Sequence, residues 1–271
     1  MGINFFRENK GLSLIELLIV LVLSGILTAA LYRTFINQQK IYTVQEQVVD
    51  MQQNMRFAID RMAREIRMAG YGGNILAAFG NINTFTEIIT PVNGINNESI
   101  TIIMADEVAR LSQNAATGTN QLQLNVNGAF DTGKKKYLCL SGQNNYLVQS
   151  ANGDLITTPL STRLLEDHLI NEPVYLVKAI TYKISPNTTD LVRDENAGGG
   201  GQVVAENIES LQFKYTLSNG TVVDSPGTPS DIRMVSITIT GRTKMADLQY
   251  PGDGYRRQTV NATVQLRNMG L

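Results

Sequence analysis

Few side chains in this sequence could carry catalysis or hold a metal. It contains one histidine, His168, and one cysteine, Cys139. A lone histidine excludes His-pair metal sites and leaves a single candidate base for a Ser–His or Cys–His unit. A lone cysteine excludes both an intramolecular disulfide and a cysteine-built zinc site. His168 sits beside Glu166 and Asp167, the ordinary setting of a structural or surface histidine. Cys139 lies in a strand-like run and reads as a small core residue. Gly128-Ala129-Phe130-Asp131-Thr132-Gly133-Lys134 matches the opening of a phosphate-binding loop. Lys135 then stands where Ser or Thr must hold Mg²⁺, and Lys136–Leu140 reads as strand where a helix is required. The spacing therefore predicts a hairpin turn. Gly198–Gly201, with no helix after it, predicts a flexible loop. Asp190, Asp194 and Glu195 could offer oxygens to Ca²⁺, but without the glycine and terminal glutamate of an EF-hand they read as a solvated acidic loop.

The charge balance points the same way. The 271 residues carry 23 basic and 24 acidic side chains, a net charge of −1. Binding nucleic acid through phosphates needs a basic excess, so none is predicted as a partner. Arg56, Arg61, Arg64 and Arg67 are interleaved with Asp60 and Glu65 and read as a solvated helix face. Asp60 with Arg64 and Arg61 with Glu65 are spaced to pair on that surface. The expectation is a protein without catalytic residues, metal or cofactor.

One carboxylate stands out by its surroundings. Leu17–Tyr32 has no charged residue, and adding Leu12–Ile15 gives about 20 residues, the span of a bilayer core. Only Glu16 interrupts the run, and an acid inside an apolar segment marks a functional position. Arg7 and Lys10 precede it. A secretory signal peptide cut after Ala29-Ala30 is one account, but the apolar run is long for that and continues as helix. From Tyr32 to Met68 there is neither proline nor glycine. Ile41, Val44, Val48, Met51, Met55, Ala58 or Ile59, Met62 and Ile66 recur at steps of three and four. Gly70-Tyr71-Gly72-Gly73 supplies the stop. A single helix over Leu12–Ala69 follows, about 85 Å long.

Beyond Gly73 the texture becomes short strands between Asn-, Gly-, Asp- and Pro-rich turns. Gln121–Val126, Arg233–Thr240 and Thr259–Leu266 alternate apolar and polar residues. Ser99–Met104, Lys136–Leu140, Tyr146–Gln149, Val174–Ile184 and Ser210–Leu217 are further candidates. Alternation of this kind predicts an antiparallel sheet with one buried face. The stripe Ile41, Val44, Val48, Met51, Met55, Met62, Ile66 is the expected cover. The fold class is α+β: a long amino-terminal helix packed on an antiparallel β-rich head.

Gly11-Leu12-Ser13-Leu14-Ile15-Glu16, with basic residues before it and the apolar run after it, resembles the cleavage signal of type IV prepilins and pseudopilins. Many members have phenylalanine where this chain has Leu12. Gln52–Gly73, Val204–Ile208 with Leu211–Tyr215, Gly241-Arg242-Thr243 and Val264–Asn268 resemble PilW-like minor pilins and the related J-type pseudopilins. Residues from about Asn74 to Pro173 match no motif, and the disulfide loop of many major pilins is missing. The resemblance implies a leader over residues 1–11, cleavage between Gly11 and Leu12 by the prepilin peptidase, and methylation of Leu12. Glu16 would neutralise the new terminal amine of a neighbouring subunit during assembly. It also implies a helix over 12–70, transmembrane over 12–32, and a periplasmic head over 71–271. The implied place is the bacterial inner membrane, amino terminus in the cytoplasm, and then the pilus, at or near its tip. Implied partners are other minor pilins, the major pilin, and the inner-membrane assembly machinery with its cytoplasmic ATPase. A J-like pseudopilin of type II secretion shares anchor and fold, and a membrane-anchored periplasmic enzyme or binding protein with a pilin-like start is a third reading.

Overall fold

A computed structural model describes residues 13–72, 85–94, 97–140, 144–247 and 249–269. The helix α1 runs Leu14–Arg67, 54 residues. Ser13 O accepts from Glu16 N and Leu17 N to open it. It closes in a turn where Gly70 takes a φ of 75°, a left-handed conformation that favours glycine. The Gly70 N–H, freed from the helix, donates to Ile103 O at 2.8 Å.

The chain divides into two compact units, residues 1–49 and 50–271. The described part of the first is helix, and its large apolar side chains from Leu14 to Phe35 are exposed. The hydroxyls of Ser24 and Thr28 donate back to the helix carbonyls of Leu21 and Ser24, so they are satisfied without water.

The second unit begins inside α1, with Met51, Met55, Ala58, Ile59, Met62 and Ile66 buried. After it come β1 (Ile89–Val92), β2 (Ser99–Arg110), β3 (Gln121–Gln123), β4 (Tyr137–Leu140), β5 (Asn144–Leu147), β6 (Ser150–Asn152) and β7 (Leu155–Thr157). The second half holds β8 (Pro173–Ile184), β9 (Leu191–Asp194), β10 (Gln202–Ala205), β11 (Ile208–Leu217), β12 (Val222–Val223), β13 (Ile232–Arg242) and β14 (Arg257–Gln265). The ladders between them are antiparallel. The largest sheet orders β1-β2-β8-β4-β5, with β9 also on β8 and β10 on β9. A second sheet orders β12-β11-β13-β14, and a small third one β3-β7-β6.

The predicted alternation is clean in β13, where Val235, Ile237 and Ile239 are buried and Ser236, Thr238 and Thr240 are not. The large sheet departs from one-sided burial. In β8, Val174 and Leu176 join a core with Leu122, Leu124 and Ile156, while Val177 and Ala179 join another with Ile103 and Cys139. Both faces of this strand are covered, so it reads as nearly continuous apolar residues. The expected strand Gln121–Val126 stops at Gln123; Leu124 makes one bridge to Leu111 before the chain turns.

The packing stripe needs one correction. Ile41 is 56% exposed, and Val44 and Val48 are only half-buried. Burial of the stripe begins at Met51, at the start of the second unit. Gly241 on β13 marks how closely helix and sheet approach: a Cβ there would meet Met55 Sδ at 2.8 Å and Met51 Cγ at 3.1 Å.

Candidate functional site

Glu16 occupies the first turn of α1, and its neighbours Ile15, Leu17, Leu18 and Ile19 are exposed apolar residues. Gly11 and Leu12 lie outside the described residues. The helix is long and apolar enough to cross a membrane by length and composition, and its most apolar stretch is not buried. Apolar surface on that scale is costly in water and at no cost in hydrocarbon. A carboxylate one turn into such a helix gains from the positive end of the helix dipole.

The other sequence candidates resolve into structure. In the Gly128–Lys134 run, Asp131 Oδ1 accepts from Gly133 N and Lys135 N, both at 2.8 Å. That is a turn feeding β4, with no helix to receive phosphate. His168 is buried, with Nδ1 2.9 Å from Glu172 Oε1, and its backbone pairs with Ala115. Cys139 is fully buried in β4. Gly198–Gly201 forms the turn between β9 and β10.

Two acids of the loop are engaged within the chain, Glu195 by an ion pair and Asp194 by a backbone hydrogen bond. Glu195 Oε1 takes Arg193 Nη1 at 2.6 Å, and Asp194 Oδ1 accepts from Asn196 N. The space bounded by Lys134, Arg193, Asp194 and Glu195 is about 10 Å³, room for about one water. Among the described residues no cluster of three or more His, Cys, Asp or Glu side chains could hold a metal.

Glu65 is not the surface residue that helical spacing predicts. It does approach Arg61, at 3.8 Å, as the helical spacing predicts. Its main partners, however, are in the sheet: Arg193 Nε donates to it at 3.0 Å and the Tyr182 hydroxyl at 2.7 Å. Arg193 is 6% exposed and bridges Glu65 to Glu195. Burial pulls its basicity down, but the two carboxylates outweigh that and raise it. Burial, then the Glu65 charge, pushes the Tyr182 hydroxyl up, so it stays protonated as a donor. Helical spacing could not reveal this node, because Arg193 and Tyr182 come from distant strands.

A family model for the prokaryotic N-terminal methylation motif matches residues 6–32. The amino-terminal segment carries the methylation motif. Its span includes Gly11, Leu12 and Glu16 and reaches the end of the uncharged run at Tyr32. The motif implies processing by the prepilin peptidase, and with the apolar helix it points to the inner membrane or pilus. No curated protein matches the chain. Among solved structures, a type IV-like pilin from Thermus thermophilus is similar at 12% identity and a TM-score of 0.40, covering 81% of this chain and 98% of the other.

Proposed function

We propose that this chain is a minor pilin, a structural subunit of type IV pilus assembly and not an enzyme. The observation that carries this reading is the methylation motif over residues 6–32, set on an exposed apolar helix with one acid in its first turn. The prepilin peptidase cuts between Gly11 and Leu12, and the new terminus on Leu12 is methylated. The helix then holds the chain in the inner membrane, amino terminus in the cytoplasm and head in the periplasm. On assembly, the Glu16 carboxylate neutralises the terminal amine of a neighbouring subunit, and the chain enters the pilus at or near its tip. Its partners are the major pilin, other minor pilins and the inner-membrane assembly machinery. The resemblance of Gln52–Gly73, Val204–Ile208 and Val264–Asn268 to PilW-like minor pilins favours the minor-pilin assignment within this reading.

Glu16→Ala tests the proposal in cells that make the native chain. The substitution removes a cost of about 2–3 kcal/mol for an acid in the membrane, so membrane levels and cleavage stay normal. The variant is expected to be lost from sheared pili. Unchanged incorporation of Glu16→Ala would remove the carboxylate from the assembly role.

A further inference from the structure

Among the described residues, almost every outermost strand of the head is short or interrupted. β1, β5 and β10 have four residues each, and β1 contains Pro91. β3 and β6 have three residues and β12 has two. Where β11 extends past β12, Glu98 fills its rim: Glu98 N donates to Leu211 O, and the Glu98 carboxylate accepts from Phe213 N. These are the devices by which sheets avoid unintended pairing. β14 has none of them. Its nine residues hold unbroken register on β13, from Met234↔Gln265 to Arg242↔Arg257, without a bulge. Gln258–Gln265 contains no charge and no proline. Its other rim pairs with no strand among the described residues, and Thr259, Asn261, Thr263 and Gln265 are exposed.

We infer that this rim receives an extended strand from the head of a different pilin-type subunit, which joins the sheet beside β14. The inference rests on the proposed pilin role. Main-chain hydrogen bonds supply the affinity in such strand addition, and alternate side chains supply the selectivity. The incoming strand sets uncharged polar residues against Thr259, Asn261 and Thr263, and small or β-branched apolar ones against Val260, Ala262 and Val264. Charge fixes its direction. Arg257 is bound by both Glu209 and Asp253, and Arg242 lies beside it in register, so the charges at that end balance. Arg233 and Arg267 flank the other end. A strand with an acid at the Arg233–Arg267 end and no net charge at the other matches both. Antiparallel pairing of β14 with a second copy would be two-fold and would reverse the Asp50–Arg67 helix of that copy, and parallel pairing would set Arg233 and Arg267 against themselves. Subunits held by one membrane run the same way, so the occupant is a different chain.

Asn261→Lys tests this in the native, full-length chain, because it places a charge on the rim at an exposed position. Incorporation into pili is expected to fall about tenfold, as for the loss of about 1.4 kcal/mol of binding, with the melting temperature, Leu12 methylation and membrane level unchanged. Asn261→Ser should restore incorporation. A photo-crosslinker at Asn261 should link to another pilin-type subunit, identified by mass spectrometry, and the same group at exposed Val222 should not. Normal incorporation of Asn261→Lys, or a crosslink to a second copy, overturns the inference while leaving the pilin role standing. An unprocessed wild-type amino terminus would instead overturn the role on which it rests.

Discussion

Met55 stands where a side chain on Gly241 would have to go. Its Sδ is 2.8 Å from the Cβ position, with Met51 Cγ at 3.1 Å, and both methionines are buried. Only a residue without a side chain lets β13 approach the helix this closely. Gly241→Ala is expected to destabilise the head by about 1–3 kcal/mol, the usual cost of overpacking. Gly241→Val should cost more. Gly227, with nothing within 4 Å of its Cβ position, is the control, and Gly227→Ala should be close to neutral. Urea midpoints compare the three; an unshifted Gly241→Ala would contradict the packing.

Glu65→Ala should be among the more damaging single changes outside the apolar core. It leaves Arg193 buried with Glu195 as its remaining carboxylate and takes the acceptor from Tyr182. Breaking a buried pair from one side costs about 3–5 kcal/mol. If the cost is the stranded charge, Glu65→Ala with Arg193→Met should be clearly milder than the sum of the single changes. Additive losses in the double-mutant cycle would mean the two side chains do not act together.

Stability should fall in acid through Glu195. Partial burial pushes its carboxyl up, but the Arg193 hydrogen bond and charge outweigh this and hold it below the usual value. The folded state therefore binds this proton less readily than the unfolded chain. The contribution is complete above the ordinary glutamate value of about 4.3 and is lost as pH falls through the depressed one. Glu195→Gln should cost about 1 kcal/mol at neutral pH, discounted for its exposure. The gap should close toward the lowest pH at which the head stays folded. A gap independent of pH would contradict this.

The parts legible in the sequence were those with a period. Met51, Met55, Met62 and Ile66 announced the buried face of the helix, and β13 and β14 announced a half-covered sheet. Ile41 obeys the same spacing yet is exposed, because periodicity marks a face and not where its partner begins. Val174–Ile184 showed no alternation since both faces are covered, and strands as short as β12 have no room for a pattern. Glu65 looked like a surface partner of Arg61 because its strongest contact, Arg193, lies 128 residues away. Gly11, Leu12 and Glu16 stand out in the sequence for a different reason: the apolar segment isolates them.

Removing the start of the helix should spare the head, and removing all of it should not. A chain beginning near Asn37 keeps Met51, Met55, Ala58, Ile59, Met62 and Ile66, the buried helix residues of the second unit. It is expected to be soluble, monomeric and cooperatively folded. A chain beginning at Gly73 loses all six. Fully buried side chains of this kind contribute about 1.5–3 kcal/mol each, against a net stability of about 5–15 kcal/mol for a whole domain. The shorter chain should show no cooperative melt. Equal melting temperatures would mean the helix is not part of the core.

Cleavage after Gly11 is the step on which the proposed role depends. Intact-mass measurement of the protein from its native membrane reads that directly. The expected mass is that of residues 12–271 with one added methyl group, placed on Leu12 by fragmentation. A mature chain beginning near Tyr32, as an ordinary signal peptide would leave, would contradict it.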